Sequence, residues 1–509
     1  MMRKVLAAIS ILLLSIWASA QPVHAADDTG AISGKIITAE GQPAWIAWVA
    51  LTDAATGIGL GEVFTELDGT YTYPNVRPGI YKLQINYNNR YQWVPQKVTY
   101  EDGAVFTVTA GATTVVDETL LPGAVVNVKL VDDRSGRPVS SACAAIHIDR
   151  KCDQAGGLFT FTDLPGGGHD VDVNAPDGLH RSVSQRVTTV LGQTTDVEIR
   201  LAPSAAITTV VRDRATGSPV QGVCVIALPR HFGDVRHEDC KYRSAADGKV
   251  VVGQLDSGTY SLLAVPGWGH GIQWVGPSGG TGSQYRAQQL RAVVGASTQA
   301  SQVRLDQAGT VTGTITDADT GEPIRYGNAC ATILPIRTGQ SGVGGATCTT
   351  SEGTYELHGL GPYAWPIQYT ATLYPKYYAW EWSGGAADRR SADPVKVTSG
   401  QTVTVNAALR SGGTLTGRTL NKDGTVYSGS LDLWSYNTRT GDVAGPADYA
   451  HAGTYTLRGL ASQHVKIKLW AVGHGYRWHK DAATFEKADP VRVTQGRDRT
   501  LDITLPSPS

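Results

Sequence analysis

The chain lacks any block of like charge, and it has only one long apolar run. Its 44 Lys and Arg residues, against 45 Asp and Glu, give a formal net charge of −1. Nucleic-acid binding depends on a basic face that neutralises phosphates, so this composition gives it no electrostatic support. A second run of about 18 apolar residues, the length that a spanning helix needs, is absent. We therefore predict no nucleic-acid partner and no stable membrane span in the mature chain.

The single long apolar run is at the N-terminus. It extends from Val5 to Trp17, follows two basic residues, and is followed by small residues. This order is typical of a secretory signal peptide, and the run is too short to span a bilayer. We predict a signal peptide over residues 1–25, cleaved after Ala25 or alternatively after Ala20, and a secreted, extracellular mature protein.

Catalytic motifs are equally scarce. The twelve histidines are scattered singly, without the HExxH spacing of a zinc peptidase, and no CxxC pair occurs. A formal GxSxG at residues 276–280 has Pro before its Ser and no helical pattern after it, so it lacks the strained elbow that exposes a nucleophile. The reactive-looking His237-Glu238-Asp239 is best explained as a charged loop. We predict no catalytic residue, no metal site and no cofactor.

What the chain does contain is one short pattern in five copies, at intervals of roughly 90–105 residues. Each copy begins with Gly, has apolar residues two and four positions later, and has Val or Leu seven positions later. The copies begin at Gly69, Gly157, Gly248, Gly353 and Gly453. Alternation with a period of two is typical of a half-buried strand, and a repeat of this length predicts a row of similar domains.

The same order of elements surrounds each copy. An alternating opening strand is followed by a Gly-containing turn with Asp, Asn or Glu, which is typical of a tight reversal. Another apolar strand lies fourteen residues after each pattern Gly, and the spacing predicts a hairpin between it and the pattern strand. A closing strand ends each repeat. About seven short strands in this length predict a two-sheet Greek-key sandwich.

These features predict an all-β protein of five tandem Greek-key β-sandwich domains behind the signal peptide. The short connections between the domains favour an extended rod. The predicted domains, called repeats 1 to 5, are residues 30–121, 122–202, 203–307, 308–411 and 412–507.

The repeats resemble a known family of scaffold modules. In repeat 4, the segments TVTGTITDADTGEPI, EGTYELHGLGPY and DPVKVTSGQTVTVNAALRSGG are similar to the carboxypeptidase regulatory-like repeats of secreted bacterial proteins. The resemblance covers nearly all of the mature chain. It implies a transthyretin-like (prealbumin-like) sandwich, close in shape to collagen-adhesin B-type repeats and to the carbohydrate-binding-like fold of starch-binding modules. Because these are scaffold motifs, the resemblance implies no fixed ligand.

The six cysteines occur as two in each of repeats 2, 3 and 4. In each repeat the first lies shortly after the opening turn and the second shortly before the pattern Gly. An exported chain meets oxidising surroundings, so we predict one disulfide within each of these repeats. The predicted pairs are Cys143 with Cys152, Cys224 with Cys240, and Cys330 with Cys348. In repeat 1, Trp48 stands where the first Cys would be, and we expect packing to replace the bridge.

Aromatic residues are the one feature that suggests a ligand. A Trp recurs after the predicted hairpin in four repeats, and repeat 4 has the densest group. The candidate ligand contacts there are Trp365, Tyr374, Tyr377, Tyr378, Trp380 and Trp382. Exposed ring faces can stack on sugar rings, but a residue type that recurs at one place also often belongs to the scaffold. The sequence leaves both explanations open.

Together these observations predict a non-catalytic secreted protein that serves as an extracellular binding or spacer rod, with a polysaccharide or a protein as its partner. The alternative is a polysaccharide-binding protein that uses Trp and Tyr surfaces, in which several weak sites would gain through avidity. A third hypothesis, a starch-type glucan hydrolase, needs paired carboxylates on a suitable scaffold. Five sandwiches use up the whole chain and leave no room for one.

Overall fold

The computed structural model describes residues 29–229, 240–334, 346–450 and 453–505. The predicted signal peptide and the loop residues His237, Glu238 and Asp239 lie outside this range. Within it the regular secondary structure is almost all strand, with short 3-10 helices at Ala155–Gly157, Gln284–Arg286 and His479–Asp481. No helix in these segments has the length and apolar character needed to cross a membrane.

Repeats 1 and 2 contain sixteen of the strands. Those of repeat 1 are β1 (Gly30–Ile37), β2 (Trp48–Asp53), β3 (Gly59–Phe64), β4 (Thr70–Val76), β5 (Gly79–Tyr87), β6 (Arg90–Trp93), β7 (Phe106–Val108), β8 (Thr113–Val115) and β9 (Glu118–Thr119). Those of repeat 2 are β10 (Ala124–Asp132), β11 (Cys143–Ile146), β12 (Asp149–Cys152), β13 (Leu158–Leu164), β14 (Gly167–Asn174), β15 (Val183–Thr189) and β16 (Thr194–Leu201).

Repeats 3 to 5 contain the other described strands. Those of repeat 3 are β17 (Ala205–Asp213), β18 (Cys224–Pro229), β19 (Lys249–Leu255), β20 (Gly258–Val265), β21 (Gln273–Val275), β22 (Gly280–Thr281), β23 (Leu290–Ala292), β24 (Ser297–Gln299) and β25 (Val303–Leu305). Those of repeat 4 are β26 (Gly309–Asp317), β27 (Ala329–Thr332), β28 (Ala346–Cys348), β29 (Thr354–Leu360), β30 (Ala364–Trp365), β31 (Gln368–Leu373), β32 (Lys376–Tyr377), β33 (Glu381–Trp382), β34 (Val395–Lys396), β35 (Thr402–Thr404) and β36 (Ala407–Leu409). Those of repeat 5 are β37 (Gly413–Leu420), β38 (Leu431–Asn437), β39 (Asp448–Ala450), β40 (Thr454–Leu460), β41 (Gln463–Ala471), β42 (Gly475–Trp478), β43 (Val491–Val493), β44 (Asp498–Thr500) and β45 (Ile503–Thr504).

Two sheets recur in every repeat. The first has the opening strand at its centre, antiparallel to the pattern strand and parallel to the closing strand, as in β4–β1–β8. The second has the order β3–β2–β5–β6 in repeat 1, and β7 pairs with residues 79–81 at the start of β5. In repeat 5 the corresponding sheets are β40–β37–β44 and β39–β38–β41–β42. Apolar residues of both sheets form one core cluster, so the predicted all-β sandwich fold is confirmed.

The pattern strand contributes a buried side chain at its second position. In repeats 1, 4 and 5 this residue is a Tyr, and its hydroxyl donates to a backbone carbonyl of the closing segment. For Tyr71 the acceptor is Val116, at 2.9 Å. A Cβ at Gly34 on the opening strand would clash with the same carbonyl group. The ring and the glycine therefore belong to one packing unit, which satisfies a polar group inside the sandwich.

The predicted hairpin between the pattern strand and the next strand is wrong. β4 pairs with β1 in the first sheet, whereas β5 pairs with β2 in the second. A register shift interrupts the pairing of each pattern strand near its end. Six residues after each pattern Gly the backbone is left-handed, with φ between 57° and 74°, at Asn75, Asp163, Gln254, Gly359 and Gly459. Such a bulge bends the chain away from its sheet, so the following strand enters the facing sheet.

The same left-handed residue lies at the contact with the preceding repeat. Gln254 donates its backbone N–H to the carbonyl of Gly178 at 3.0 Å. Gly359 accepts from the N–H of Ile272 at 2.8 Å, and Gly459 accepts from the N–H of Trp380 at 3.0 Å. One recurrent position therefore ends a strand and also fixes two repeats to each other, which favours a stiff chain of repeats.

Glu118, in the last strand of repeat 1, gives a pH-dependent prediction. It is 5% exposed and accepts hydrogen bonds from Gln92 Nε2 at 2.6 Å and from the N–H of Gln96 at 2.8 Å. Burial raises its pKa from 4.5 to about 6 in spite of these bonds. The folded state therefore holds the proton more tightly than the unfolded state. Repeat 1 should lose about 1–2 kcal/mol of unfolding free energy as the pH rises from 4.5 through 6.

Urea unfolding of the wild type and of Glu118→Gln, at several pH values across this window, checks this prediction. The Gln side chain is neutral at every pH and can still accept a hydrogen bond, so the variant should lose the part of the pH dependence that Glu118 contributes. A variant that keeps the wild-type dependence would show that a different group titrates.

Candidate functional site

One cross-strand pair of residues on the outer face of the second sheet has different side chains in different repeats. In repeats 2 and 4 it holds a directly opposed pair of half-cystines, Cys143 with Cys152 and Cys330 with Cys348. In repeat 3, Cys224 is bonded to Cys240. Loops of this length are expected to contribute about 3 kcal/mol of stability each. In repeat 1 the opposed pair is Trp48 and Phe64, so an aromatic contact stands where the other repeats have a covalent bond.

In repeat 1 this pair belongs to a row of side chains across four strands. The register places Phe64 opposite Trp48, Trp48 opposite Asn86, and Asn86 opposite Tyr91. Phe64 is 50% exposed, Trp48 42% and Tyr91 53%. Because neighbouring strands lie about 4.8 Å apart, the row extends over about 14 Å. We call these four residues the repeat 1 row.

The rings of this row are held in place by the sheet and by each other. Trp48 and Phe64 meet edge to face, with ring centroids 5.6 Å apart. The next row along the strands places Gln84 between Ala50 and Trp93, and Trp93 is supported by the edge of Tyr100 at 5.0 Å. The face therefore combines apolar rings with the amides of Asn86 and Gln84 and with the carboxylate of Glu62, which lies opposite Ala50. The Asn86 Oδ1 is buried without a hydrogen-bond partner. Such a surface suits a ligand that presents flat C–H faces and hydroxyl groups.

Most of the aromatic residues that the sequence suggested as ligand contacts are buried. The structure buries four of them, Trp365, Tyr378, Trp380 and Trp382, at 0–3% exposure. Trp365 Nε1 donates to the carbonyl of Gly361 at 2.8 Å, and the Tyr378 hydroxyl donates to Asp317 at 2.7 Å. Burial of this degree leaves no ring face for a ligand, which matches the scaffold explanation. The two remaining candidates are Tyr374, 84% exposed, and the half-buried Tyr377.

Trp380 lies between repeats 4 and 5. It is 3% exposed and packs into an aromatic cluster with Trp434, Trp478 and Phe485 of repeat 5. Its indole nitrogen is buried and has no hydrogen-bond partner. The residue therefore contributes through its ring, as a contact that holds two repeats together.

A buried ion pair lies at the same boundary. Arg389 Nε of repeat 4 is 2.9 Å from the Asp442 carboxylate of repeat 5, and both side chains are at most 3% exposed. The Arg389 guanidinium also lies 5.3 Å from the ring centroid of Tyr285 in repeat 3. Burial raises the pKa of Asp442 to about 6 although the neighbouring arginine favours its charged form. This pair thus connects three consecutive repeats.

The described segments contain no group of three or more His, Cys, Asp or Glu side chains placed to hold a metal ion. Asp317 and Asp319 instead share the ammonium of Lys376, at 2.6 and 2.8 Å. The formal GxSxG segment lies at a tight turn between β21 and β22, in which Gly276 donates its N–H to Gly279 at 2.7 Å.

The repeat 1 row was missed in the sequence because it is assembled from four strands. Trp48 and Phe64 lie sixteen positions apart, and Tyr91 belongs to a third segment of the chain. The available signal was the combination of a Trp at the place of the first Cys with the absence of cysteine from that repeat. That signal predicts the contact, but not that its rings face solvent.

Comparisons with known proteins give only distant matches. The chain matches no protein-family model and no curated protein. Among solved structures it is similar to the Bacillus anthracis TIE protein, with 12% identity, a TM-score of 0.18, and coverage of 71% of this chain and 66% of that one. It is also similar to GBS52, the minor pilin of Streptococcus agalactiae (13% identity, TM-score 0.24, 34% and 96% coverage), and to BcpA, the major pilin subunit of Bacillus cereus (10%, 0.14, 75% and 99%). TM-scores this low carry no functional argument, and the specific resemblance to carboxypeptidase regulatory-like repeats stays a prediction.

Proposed function

We propose that the protein is a non-catalytic extracellular binding protein of five tandem sandwich domains, and that the outer face of repeat 1 is its contact surface. The exposed row of Phe64, Trp48 and Tyr91 carries this proposal. Large rings that stay exposed together on one sheet face usually mark an interaction site rather than chance exposure. The backbone contacts of repeats 2 with 3, 3 with 4 and 4 with 5 support a spacer role for that part of the chain. Repeat 1 contacts repeat 2 through the exposed ion pair of Arg90 and Asp163.

The ligand class that the surface favours is an uncharged polysaccharide. Asn86 lies between two rings of the row, and Gln84 lies beside it in the next row. The Gln84 amide can both donate to and accept from hydroxyl groups, while ring faces cover the C–H faces of sugars. A protein partner, the other class predicted from the sequence, would also contact rings but would gain less from amides placed among them. A starch-type hydrolase has no paired carboxylates on this face to support it.

Retention on insoluble starch, cellulose and chitin tests the proposal. The wild type should be retained by one of these polymers. Trp48→Ala should weaken retention by about 2 kcal/mol, roughly thirtyfold, because a Trp at the centre of a contact surface typically contributes this much. Trp268→Ala is the matched control, since Trp268 is fully exposed in repeat 3, away from the row, and its loss should change nothing.

Three results would count against parts of the proposal. Equal retention of Trp48→Ala and wild type would remove repeat 1 as the contact surface. Loss of retention in Tyr374→Ala instead would place the site in repeat 4. Retention by none of the polymers, with capture of a protein through the same row, would keep the binding function and overturn the ligand class.

A further inference from the structure

Repeat 5 has an exposed aromatic row of its own. Its register places Tyr449 opposite Asp432, Asp432 opposite Trp470, and Trp470 opposite Tyr476, on the adjacent strands β39, β38, β41 and β42. Tyr449 is 66% and Tyr476 58% exposed, and Trp470 is half-buried. The rings of Trp470 and Tyr476 are 6.5 Å apart. We call these four residues the repeat 5 row.

The repeat 5 row occupies the same place in the fold as the repeat 1 row. Asn86 and Trp470 each lie seventeen residues after their pattern Gly, Gly69 and Gly453. Both are on the strand next to the one that carries Trp48 or Asp432. The two rows are therefore corresponding surfaces of two copies of one sheet.

The repeats between them have other groups at this place. Repeats 2 and 4 have a disulfide at the corresponding cross-strand position. In repeat 3 the outer face of the second sheet is closed, because Ile226, Leu263 and Trp274 share a core cluster with residues of repeat 4. Within the described segments, the exposed aromatic form of the row occurs in the first and the last repeat.

The chemistry of the repeat 5 row also suits a hydroxyl-rich ligand without net charge. Asp432 can accept hydrogen bonds, and Lys468 in the neighbouring row lies 4.7 Å from the ring centroid of Tyr476. One carboxylate and one ammonium beside the same rings balance each other. Trp434 and Trp478, 7% exposed in the cluster with Trp380, give the row a packed base.

We infer that the repeat 5 row is a second binding site for the same uncharged polysaccharide, so that the protein is bivalent. This inference rests on the proposed function. Two weak sites on one stiff chain either bind one polymer twice or join two polymer chains. Binding of one polymer at both sites raises the apparent affinity by a factor of about 100 or more, because the second event becomes intramolecular, whereas joining two polymer chains cross-links them.

Native electrophoresis through gels that contain soluble starch, hydroxyethyl cellulose or glycol chitin tests the inference. The probe is the soluble form of the polymer that retains the wild type in the pull-down. Trp48→Ala and Tyr476→Ala should each keep part of the retardation, with an apparent affinity for polymer about 30-fold or more below that of the wild type. The double variant should migrate as in a gel without polymer, and Trp268→Ala should migrate as the wild type does. The wild type alone, and not either single variant, should agglutinate polymer-coated beads.

The outcomes separate the inference from the proposed function. If Trp48→Ala abolishes retardation and Tyr476→Ala has no effect, the second site is overturned while the first stands. If both variants bind as the wild type does, the proposed contact surface is itself wrong. If Tyr476→Ala weakens binding to polymer but Tyr449→Ala and Trp470→Ala do not, the tyrosine acts alone and the row is not a site. If no polymer retards the wild type, the inference falls together with the proposed ligand class.

Discussion

Replacement of Trp380 by alanine is expected to destabilise the boundary between repeats 4 and 5 by about 3–5 kcal/mol. The ring is 3% exposed and fills the aromatic cluster of repeat 5, so its removal leaves a cavity between two repeats in addition to the lost transfer free energy. The expected result is a lower urea midpoint for the transition that includes repeat 5. Proteolytic cleavage near the boundary should also become faster.

Two matched variants make this prediction specific. Trp380→Phe should cost much less, because the indole nitrogen has no hydrogen-bond partner to lose and most of the ring volume is kept. Trp268→Ala removes a Trp that is fully exposed, and surface changes of this kind stay within about 0.5 kcal/mol. If Trp380→Ala left unfolding unchanged but abolished binding to a polysaccharide, Trp380 would be a ligand contact after all.

Replacement of Arg389 by methionine is expected to lower the free energy of unfolding by about 3–5 kcal/mol at neutral pH. The change leaves the Asp442 carboxylate buried without its cation, which is more costly than never having formed the pair. Burial raises the pKa of Asp442 to about 6 even with Arg389 in place, and loss of the arginine raises it further, so protonation removes the uncompensated charge as the pH falls. The destabilisation should therefore be largest above pH 6 and should diminish towards pH 4.

Urea unfolding at both ends of this pH range checks the second prediction. The double variant Arg389→Met with Asp442→Leu should lie close to the wild type, since it leaves no unpaired buried charge. Arg418→Met is the matched control, because its ion pair with Asp502 is 61% and 32% exposed and should contribute at most about 1 kcal/mol. A loss for Arg389→Met that is equally large at low pH would mean that packing of the arginine stem, rather than charge, is responsible.

Local patterns in the sequence were sufficient to predict the fold class. Alternation with a period of two and the repeated Gly at a left-handed turn predict strands and reversals, because both depend on neighbouring residues alone. The spacing of the cysteines likewise predicted which two meet in each repeat. The left-handed backbone six positions after each pattern Gly could in principle have been predicted. The residue there is Asn, Asp or Gly in four repeats, residue types that tolerate left-handed backbone, but Gln254 in repeat 3, and its meaning as a strand end required knowledge of the partner strands.

The predicted hairpin failed for the same reason. Two consecutive apolar strands joined by a short turn have the same sequence pattern whether they pair side by side or face each other across a sandwich. The choice was made by the bulge at residues such as Asn75, which turns the chain out of the first sheet. Pairing partners are long-range contacts, and no local pattern in this chain distinguishes the two arrangements.

The sequence alone therefore determined that this protein is a row of β-sandwich repeats with cysteine pairs in its middle members, because short-range periodicity and spacing contain that information. Only the tertiary structure decided which aromatic side chains are available. Trp380 and Trp382 are as aromatic as Trp48, but neighbouring strands and a neighbouring repeat cover them, while Trp48 and Phe64 face outward from their sheet. Exposure depends on which segments pack over a residue, and those segments are distant in the chain.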